Sequence, residues 1–169
     1  MKRTVVTFII AVTCFLFVTT NAQSITGTFA IKNVKTGIFI RIKDANTKNG
    51  TPIVAYSPVN WKCVTWDFKK QEGNVYQLKN LFSGKTLQPK GAAEQGVLLE
   101  EQPLADGNAI QQYEFIAAGQ GKYLIKLKGT DLYLTPSNSD GEINAPIMLS
   151  SKTGNELQQW TLQEQHPTM

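Results

Sequence analysis

The sequence predicts an all-β fold in which three copies of one unit, each of four short strands, close round a common axis into a barrel. Three observations predict it. An aromatic marker recurs every 47 residues, as Trp66-Asp67-Phe68, Tyr113-Glu114-Phe115 and Trp160-Thr161-Leu162. The opening of each copy recurs at the same period, as Phe29-Ala30-Ile31-Lys32, Tyr76-Gln77-Leu78-Lys79 and Tyr123-Leu124-Ile125-Lys126. Within those openings apolar and polar residues alternate, the period-two pattern of a half-buried strand.

The first segment stands outside the repeat. Met1-Lys2-Arg3 is a short basic start, Val5 to Val18 an almost unbroken apolar run, and Thr20-Asn21-Ala22 a stretch of small residues. That is the order of a secretory signal, and the run falls short of the roughly 20 residues of a membrane span. Residues 1–22 are therefore expected to be a signal peptide cut after Ala22, leaving a secreted protein, extracellular or periplasmic, with no later membrane insertion. Cys14 follows Ala11-Val12-Thr13, a poor lipoprotein box. The formal charge of +4 falls to +2 once Lys2 and Arg3 leave with the signal. A balance so near neutral argues against nucleic acid or an acidic membrane as the main partner. Cys63 is then the one remaining cysteine, so no internal disulfide is available and the fold must stand on its core. Cys63 is read as buried, with an intermolecular bridge as the other possibility.

Residues 23–169 are expected to form a single domain, with copies at about 26–72, 73–119 and 120–165. In each, the opening strand meets a turn: Asn33 to Gly37, Asn80 to Gly84, and Thr130-Asp131. A second strand starts near Phe39, Thr86 and Tyr133. A longer loop follows, rich in Gly, Asn, Ser and Asp: Asp44 to Gly50, Gly91 to Gly96, Ser137 to Glu142. A third strand lies near Ile53, Leu99 and Ile147, and a fourth carries the aromatic marker. One such unit cannot cover its apolar face alone. Three round an axis bury a shared core, with Trp66, Tyr113 and Trp160 as its equivalent members. A linear solenoid is the alternative, but three copies are few for one and no capping repeat is visible.

The residues just before the markers give a resemblance. Gln158-Gln159-Trp160 is a Q-x-W motif, Gln111-Gln112-Tyr113 has Tyr in place of Trp, and Val64-Thr65-Trp66 lacks the Gln. Asn33-Val34-Lys35-Thr36-Gly37 and Asn80-Leu81-Phe82-Ser83-Gly84 look like an N-x-x-S-G opening, and Gly50-Thr51-Pro52-Ile53 like the G-x-P-V strand that follows it. From Thr26 to Leu162 the chain resembles the ricin B-type, or Q-x-W, β-trefoil lectins. The resemblance implies a β-trefoil of twelve strands with threefold pseudosymmetry and shallow glycan pockets, one per copy.

In that family a pocket takes an Asp after the second strand's Leu, an aromatic near the end of the third strand, and an Asn and the Gln before the Trp. Sugar hydroxyls want paired donors and acceptors, and sugar C–H faces want an aromatic plane. The sequence departs from this pattern in every copy. The Asp position holds Arg41, Gln88 and Thr135; the stacking position Tyr56, Gln102 and Ser150; the Asn position Cys63, Ile110 and Leu157. Gln111 and Gln158 remain, and are read first as ties for the turn and second as sugar ligands. Asn108 and Asn155 lie two residues early. Tyr56, Asn60 and Trp61 cluster in the first copy, with Trp61 either a surface aromatic for a ligand or a loop-packing residue. These twelve residues other than the three at the Asn position are the candidate carbohydrate contacts.

Arg41 is read as a solvated strand residue, with pairing to an acidic sugar as the alternative. Glu100-Glu101 point to opposite faces of a strand and do not converge as glycosidase carboxylates must; both are read as solvated. Asp140-Gly141-Glu142 lacks the spacing of a calcium loop, and Asn49-Gly50-Thr51 is a formal glycosylation sequon in a turn. The single histidine, His166, lies in the tail, so no Ser-His-Asp or Cys-His set can be drawn inside the fold. No enzyme activity, metal or cofactor is implied. The expected function is a non-catalytic glycan-binding module with degenerate pockets. The alternative is a trefoil that binds a protein partner, as an inhibitor or adhesion module.

Overall fold

The computed structural model describes residues 24–168, so the signal expected over residues 1–22 lies outside the described residues. Twelve strands run in chain order. The first copy holds β1 (Thr28–Asn33), β2 (Phe39–Ile42), β3 (Ile53–Tyr56) and β4 (Thr65–Glu72). The second holds β5 (Val75–Asn80), β6 (Thr86–Pro89), β7 (Leu99–Gln102) and β8 (Tyr113–Ala117). The third holds β9 (Lys122–Leu127), β10 (Leu132–Pro136), β11 (Ile147–Ser151) and β12 (Gln159–Glu164). The fold is all-β, and the closed form replaces the solenoid alternative.

Closure is visible in the pairing. β1 pairs with β4, β4 with β5, β5 with β8, β8 with β9, β9 with β12, and β12 returns to β1, all antiparallel. These six strands make a barrel without a free edge. The remaining six form the hairpins β2–β3, β6–β7 and β10–β11, which cap one end. The hairpins hold one another in a ring. Gly50 donates to Glu101 O (2.8 Å), Gly96 to Leu149 O (2.8 Å), and Asn144 to Ala55 O (2.9 Å). Each loop thus rests on the third strand of the next copy.

The marker residues sit at the centre of this design. Trp66, Tyr113 and Trp160 are fully buried. Trp66 Nε1 donates to Ile40 O (3.2 Å), Tyr113 Oη to Leu87 O (3.1 Å) and Trp160 Nε1 to Leu134 O (3.1 Å). Each ring therefore fills the core and ties the barrel to the matching carbonyl of its own cap hairpin. That bond explains why Tyr can replace Trp: both carry a donor at the far end of a large ring. Around them pack Ile31, Leu78, Ile125, Ile40, Leu87 and Leu134. Phe29, Phe68, Tyr76, Phe115 and Tyr123 stack edge to face, with centroids 5.0–5.9 Å apart, and fill the other end of the barrel.

The openings also have a physical task. Asn33 Nδ2 donates to Leu157 O (2.8 Å), and Asn80 Nδ2 to Cys63 O (3.1 Å). The other atom of each amide, Oδ1, accepts from the turn that follows, from Thr36 N (3.1 Å) and Phe82 N (3.0 Å). One buried amide thus shapes its own turn and fixes it to the short helical turn before an aromatic strand. The glycine ending each turn has φ near +70°, at Gly37 (73°) and Gly84 (72°), a conformation that suits a residue without Cβ.

Candidate functional site

The positions that form a pocket in the resembling family lie beside the cap hairpins, and each copy has treated them differently. In the third copy the polar groups satisfy one another. Thr135 Oγ1 and Ser150 Oγ are 2.6 Å apart, and both are buried. Gln158 Nε2 lies 2.9 Å from Ser150 Oγ, 3.1 Å from Thr135 Oγ1 and 2.9 Å from Ser151 O, while its Oε1 accepts from Thr153 N (2.7 Å). Gln158 is fully buried. These side chains hold the loop after β11 and leave little for a ligand.

The second copy is built the same way with longer side chains. Gln111 Nε2 donates to Gln88 Oε1 (2.8 Å) and Pro103 O (2.9 Å), and Gln111 Oε1 accepts from Ala105 N (2.9 Å). Gln102 turns aside to Glu100 Oε1 (2.7 Å). Asn108 and Asn155 accept from Ile110 N (3.4 Å) and Leu157 N (3.1 Å), so both cap the helical turns Ala109–Gln111 and Glu156–Gln158.

The first copy differs because Val64 stands where the others have Gln. Val64, Cys63, Ala30 and Phe39 form a small apolar cluster, with Ala45, Tyr56 and Val59 packed against it. The missing amide comes from elsewhere. Gln165, past β12, accepts from Thr65 Oγ1 (2.8 Å) and donates to Val59 O (3.0 Å), tying down the first-copy loop. Cys63 is a free, buried thiol, and burial pushes it above its ordinary value against the pull of the Arg41 charge.

Arg41 is not solvated, as the sequence suggested, but buried, with 6 % of its surface exposed. Its guanidinium lies 3.6 Å from the centre of the Tyr56 ring, a cation–π contact across the β2–β3 hairpin. Nη2 donates to Asp44 Oδ1 (3.1 Å) and to Asn144 Oδ1 (3.0 Å). Nε is buried and has no hydrogen-bond partner among the described residues. The expectation failed because Asn144 belongs to the third copy, and its loop closes over Arg41 only once the ring of hairpins forms. Tyr56 is half-buried, Asn60 exposed, and Trp61 stands 39 % exposed with its ring 6.1 Å from that of Tyr56. The first copy alone therefore presents an aromatic pair to solvent beside an unsatisfied donor.

Glu101 also departs from its solvated reading. It is 1 % exposed, with Lys85 Nζ 3.7 Å away, and the loop of the first copy covers it. Burial pushes its carboxyl above the usual range, partly offset by Ser83 and Lys85. Glu100, on the opposite face, is half-buried, so the pair does not converge. Among the described residues no group of three or more His, Cys, Asp or Glu side chains is arranged to hold a metal ion. Asp44, Asn144, Phe82 and Gln165 were missed as parts of the candidate regions. The roles of Asn144, Phe82 and Gln165 depend on contacts between copies, which the period locates but does not pair, and Asp44 reaches Arg41 across a turn of its own copy.

Comparison with known proteins places this arrangement. No curated protein sequence matches the chain. Solved structures do. The Rhizoctonia solani agglutinin superposes with a TM-score of 0.76 at 20 % identity, over 85 % of this chain and 99 % of its own. The ricin B-like lectin of Macrolepiota procera, solved in complex with lactose, gives 0.70 at 23 % identity over 85 % and 99 %. ThreeFoil, a designed 3-fold symmetric protein, gives 0.77 at 22 % identity over 80 % and 97 %. The family model described as ricin-type beta-trefoil lectin domain-like matches residues 14–99 and 62–150. With twelve strands in three equivalent copies, and a family match spanning most of its length, the chain belongs to the ricin-type β-trefoil lectin domain-like family.

Proposed function

We propose that the protein is a secreted carbohydrate-binding module that acts by recognition, without catalysis, through its first copy, and that the pockets of its second and third copies are degenerate. The observation that carries this reading is the Tyr56–Trp61 pair: half-buried Tyr56 stands at the family's stacking position, and Trp61, 39 % exposed, lies beside it with ring centroids 6.1 Å apart. Family membership and the lactose bound by the Macrolepiota procera lectin support a sugar as ligand. The inward bonding of Thr135, Ser150 and Gln158 supports degeneracy of the third pocket. A single shallow site implies an affinity near millimolar, about −4 kcal/mol, raised by presenting several copies.

A broad glycan array tests this, with the purified chain displayed multivalently and Trp61→Ala as control. Binding that Trp61→Ala removes supports the reading; no binding to any glycan at high loading sinks it. Export is tested separately, by N-terminal sequencing of protein recovered outside the cytoplasm, which should begin at Gln23. One feature favours the alternative of a protein partner. Trp61 and the exposed Phe82 line, with Ala45, Lys62 and Cys63, a shallow apolar hollow of about 260 Å³. A protein captured on this hollow and not released by free sugar would select that alternative.

A further inference from the structure

We propose that the first-copy site is specific for an anionic sugar, one carrying a carboxylate or a sulfate ester, with Arg41 as the group that reads the charge and Asp44 as an internal stand-in for the ligand's acid. The inference deepens the glycan-binding reading and rests on it.

The first argument is chemical. Arg41 occupies the position at which the resembling lectins carry an Asp. A carboxylate there accepts hydrogen bonds from neutral sugar hydroxyls. A guanidinium has five N–H donors and no acceptor. The substitution therefore shifts what the site favours: a hydroxyl proton loses its acceptor, a hydroxyl oxygen can still accept, and an anion with several acceptor oxygens gains most. The guanidinium fork matches a carboxylate or sulfate through two parallel bonds, and such charge-assisted pairs are stronger than neutral ones.

The second argument is the state in which Arg41 is held. Only 6 % of it is exposed, yet Nε has no hydrogen-bond partner among the described residues. A buried donor left unpaired is unfavourable, so a site that keeps one is short of an acceptor. The Tyr56 ring, 3.6 Å from the guanidinium, fixes the orientation of its plane. The charge is thus pre-organised but incompletely answered.

The third argument concerns what answers it now. Among the described residues the one carboxylate in contact is Asp44, through a single bond of 3.1 Å, and that side chain is 66 % exposed. An ion pair so open to water is weak. Asp44 and Ala45 both lie in the left-handed region, at φ 53° and 48°, and Asn144, the other acceptor, at 68°. Asp and Asn are the residues other than Gly that adopt this conformation most readily, so of the three only Ala45 is held in backbone its side chain disfavours. With one bond to Arg41 and a side chain 66 % exposed, Asp44 is a poorly secured acid laid over a well-secured cation. Lys43 and Lys48 border the hollow next to it, which favours the approach of negative charge and the displacement of Asp44.

The test is a titration of the purified chain, by calorimetry, with three probes: lactose, 3′-sialyllactose and 3′-sulfolactose. The wild-type chain should bind at least one anionic probe about tenfold more tightly than lactose, an advantage expected of a charge-assisted pair. That advantage should shrink at about 0.5 M NaCl, where screening is strong. Arg41→Gln should abolish it. Asp44→Asn removes the internal competitor and keeps Arg41, and should tighten binding of the anionic probe about threefold or more without changing that of lactose. This variant separates recognition from a structural role, because a merely structural Asp44–Arg41 pair predicts lower stability and no gain in affinity. Equal affinity for all three probes, or weaker anion binding in Asp44→Asn, overturns the proposal while the lectin reading stands. Absence of binding by every probe here and every glycan on the array removes both. A preference between the sialyl and sulfo probes tells which acid the site takes.

Discussion

Gln158→Ala separates a ligand role for the Q-x-W glutamine from a structural one. Its amide is fully buried and meets four groups: Thr153 N at 2.7 Å, Ser150 Oγ and Ser151 O at 2.9 Å, and Thr135 Oγ1 at 3.1 Å. Truncation leaves the Thr135 and Ser150 hydroxyls paired with each other, but removes the two bonds that anchor the loop backbone at Ser151 and Thr153. At about 1 kcal/mol per bond, with a further contribution from the small void, the loss is about 2–4 kcal/mol. For a chain of this size that lowers the melting temperature by roughly 5–15 °C. Urea unfolding followed by tryptophan fluorescence measures it, alongside glycan-array binding of the folded variant. The structural reading requires a clear loss of stability and an unchanged binding profile. A loss below about 0.5 kcal/mol together with abolished binding would refute it, since it would mean that the amide serves a ligand and not the loop.

Other outcomes follow from the same geometry. Tyr113→Phe leaves Leu87 O without its buried partner and should cost about 1–2 kcal/mol, with Tyr113→Trp able to restore part of it; chemical denaturation checks both. Trp61→Ala should lower the melting temperature far less than truncation of the buried Trp66, because Trp61 stands 39 % exposed, while removing glycan binding. For Glu101 the sign is set by burial: its folded-state carboxyl titrates above the unfolded one, so the folded state binds the proton more tightly. Its contribution to stability is present below the unfolded value and declines as pH rises through the raised folded value. Glu101→Gln should therefore flatten the pH dependence of urea midpoints in that window and stabilise the chain at neutral pH.

Much of the fold was legible because the core imposes one period on the sequence. The aromatic residues at 66, 113 and 160 must be large, buried and able to donate, and few residue types meet all three demands. The strand openings were legible for the same reason. The site was less so. Phe39, Ile40, Arg41 and Ile42 are all buried, and nothing in their alternation warns that Arg41 is covered. What covers it is Asn144, 103 residues away. Likewise Gln165 replaces the glutamine that Val64 displaced, although no repeat offset relates the two. Sequence periodicity shows which residues are equivalent. It does not show which copy leans on which, and in this chain the pockets are decided by that second relation.

The ring of cap hairpins has a consequence for how the molecule comes apart. Each loop takes its backbone acceptor from the next copy: Gly50 from Glu101, Gly96 from Leu149, Asn144 from Ala55. Releasing any one copy breaks the ring at two places and also opens the barrel seams on both sides of that copy. A row of repeats can fray from its ends, because the last unit has one neighbour to lose. Here every unit has two, and none is terminal. The three copies should accordingly share one unfolding transition, so that a substitution anywhere that costs stability lowers the midpoint of the whole fold rather than melting a part.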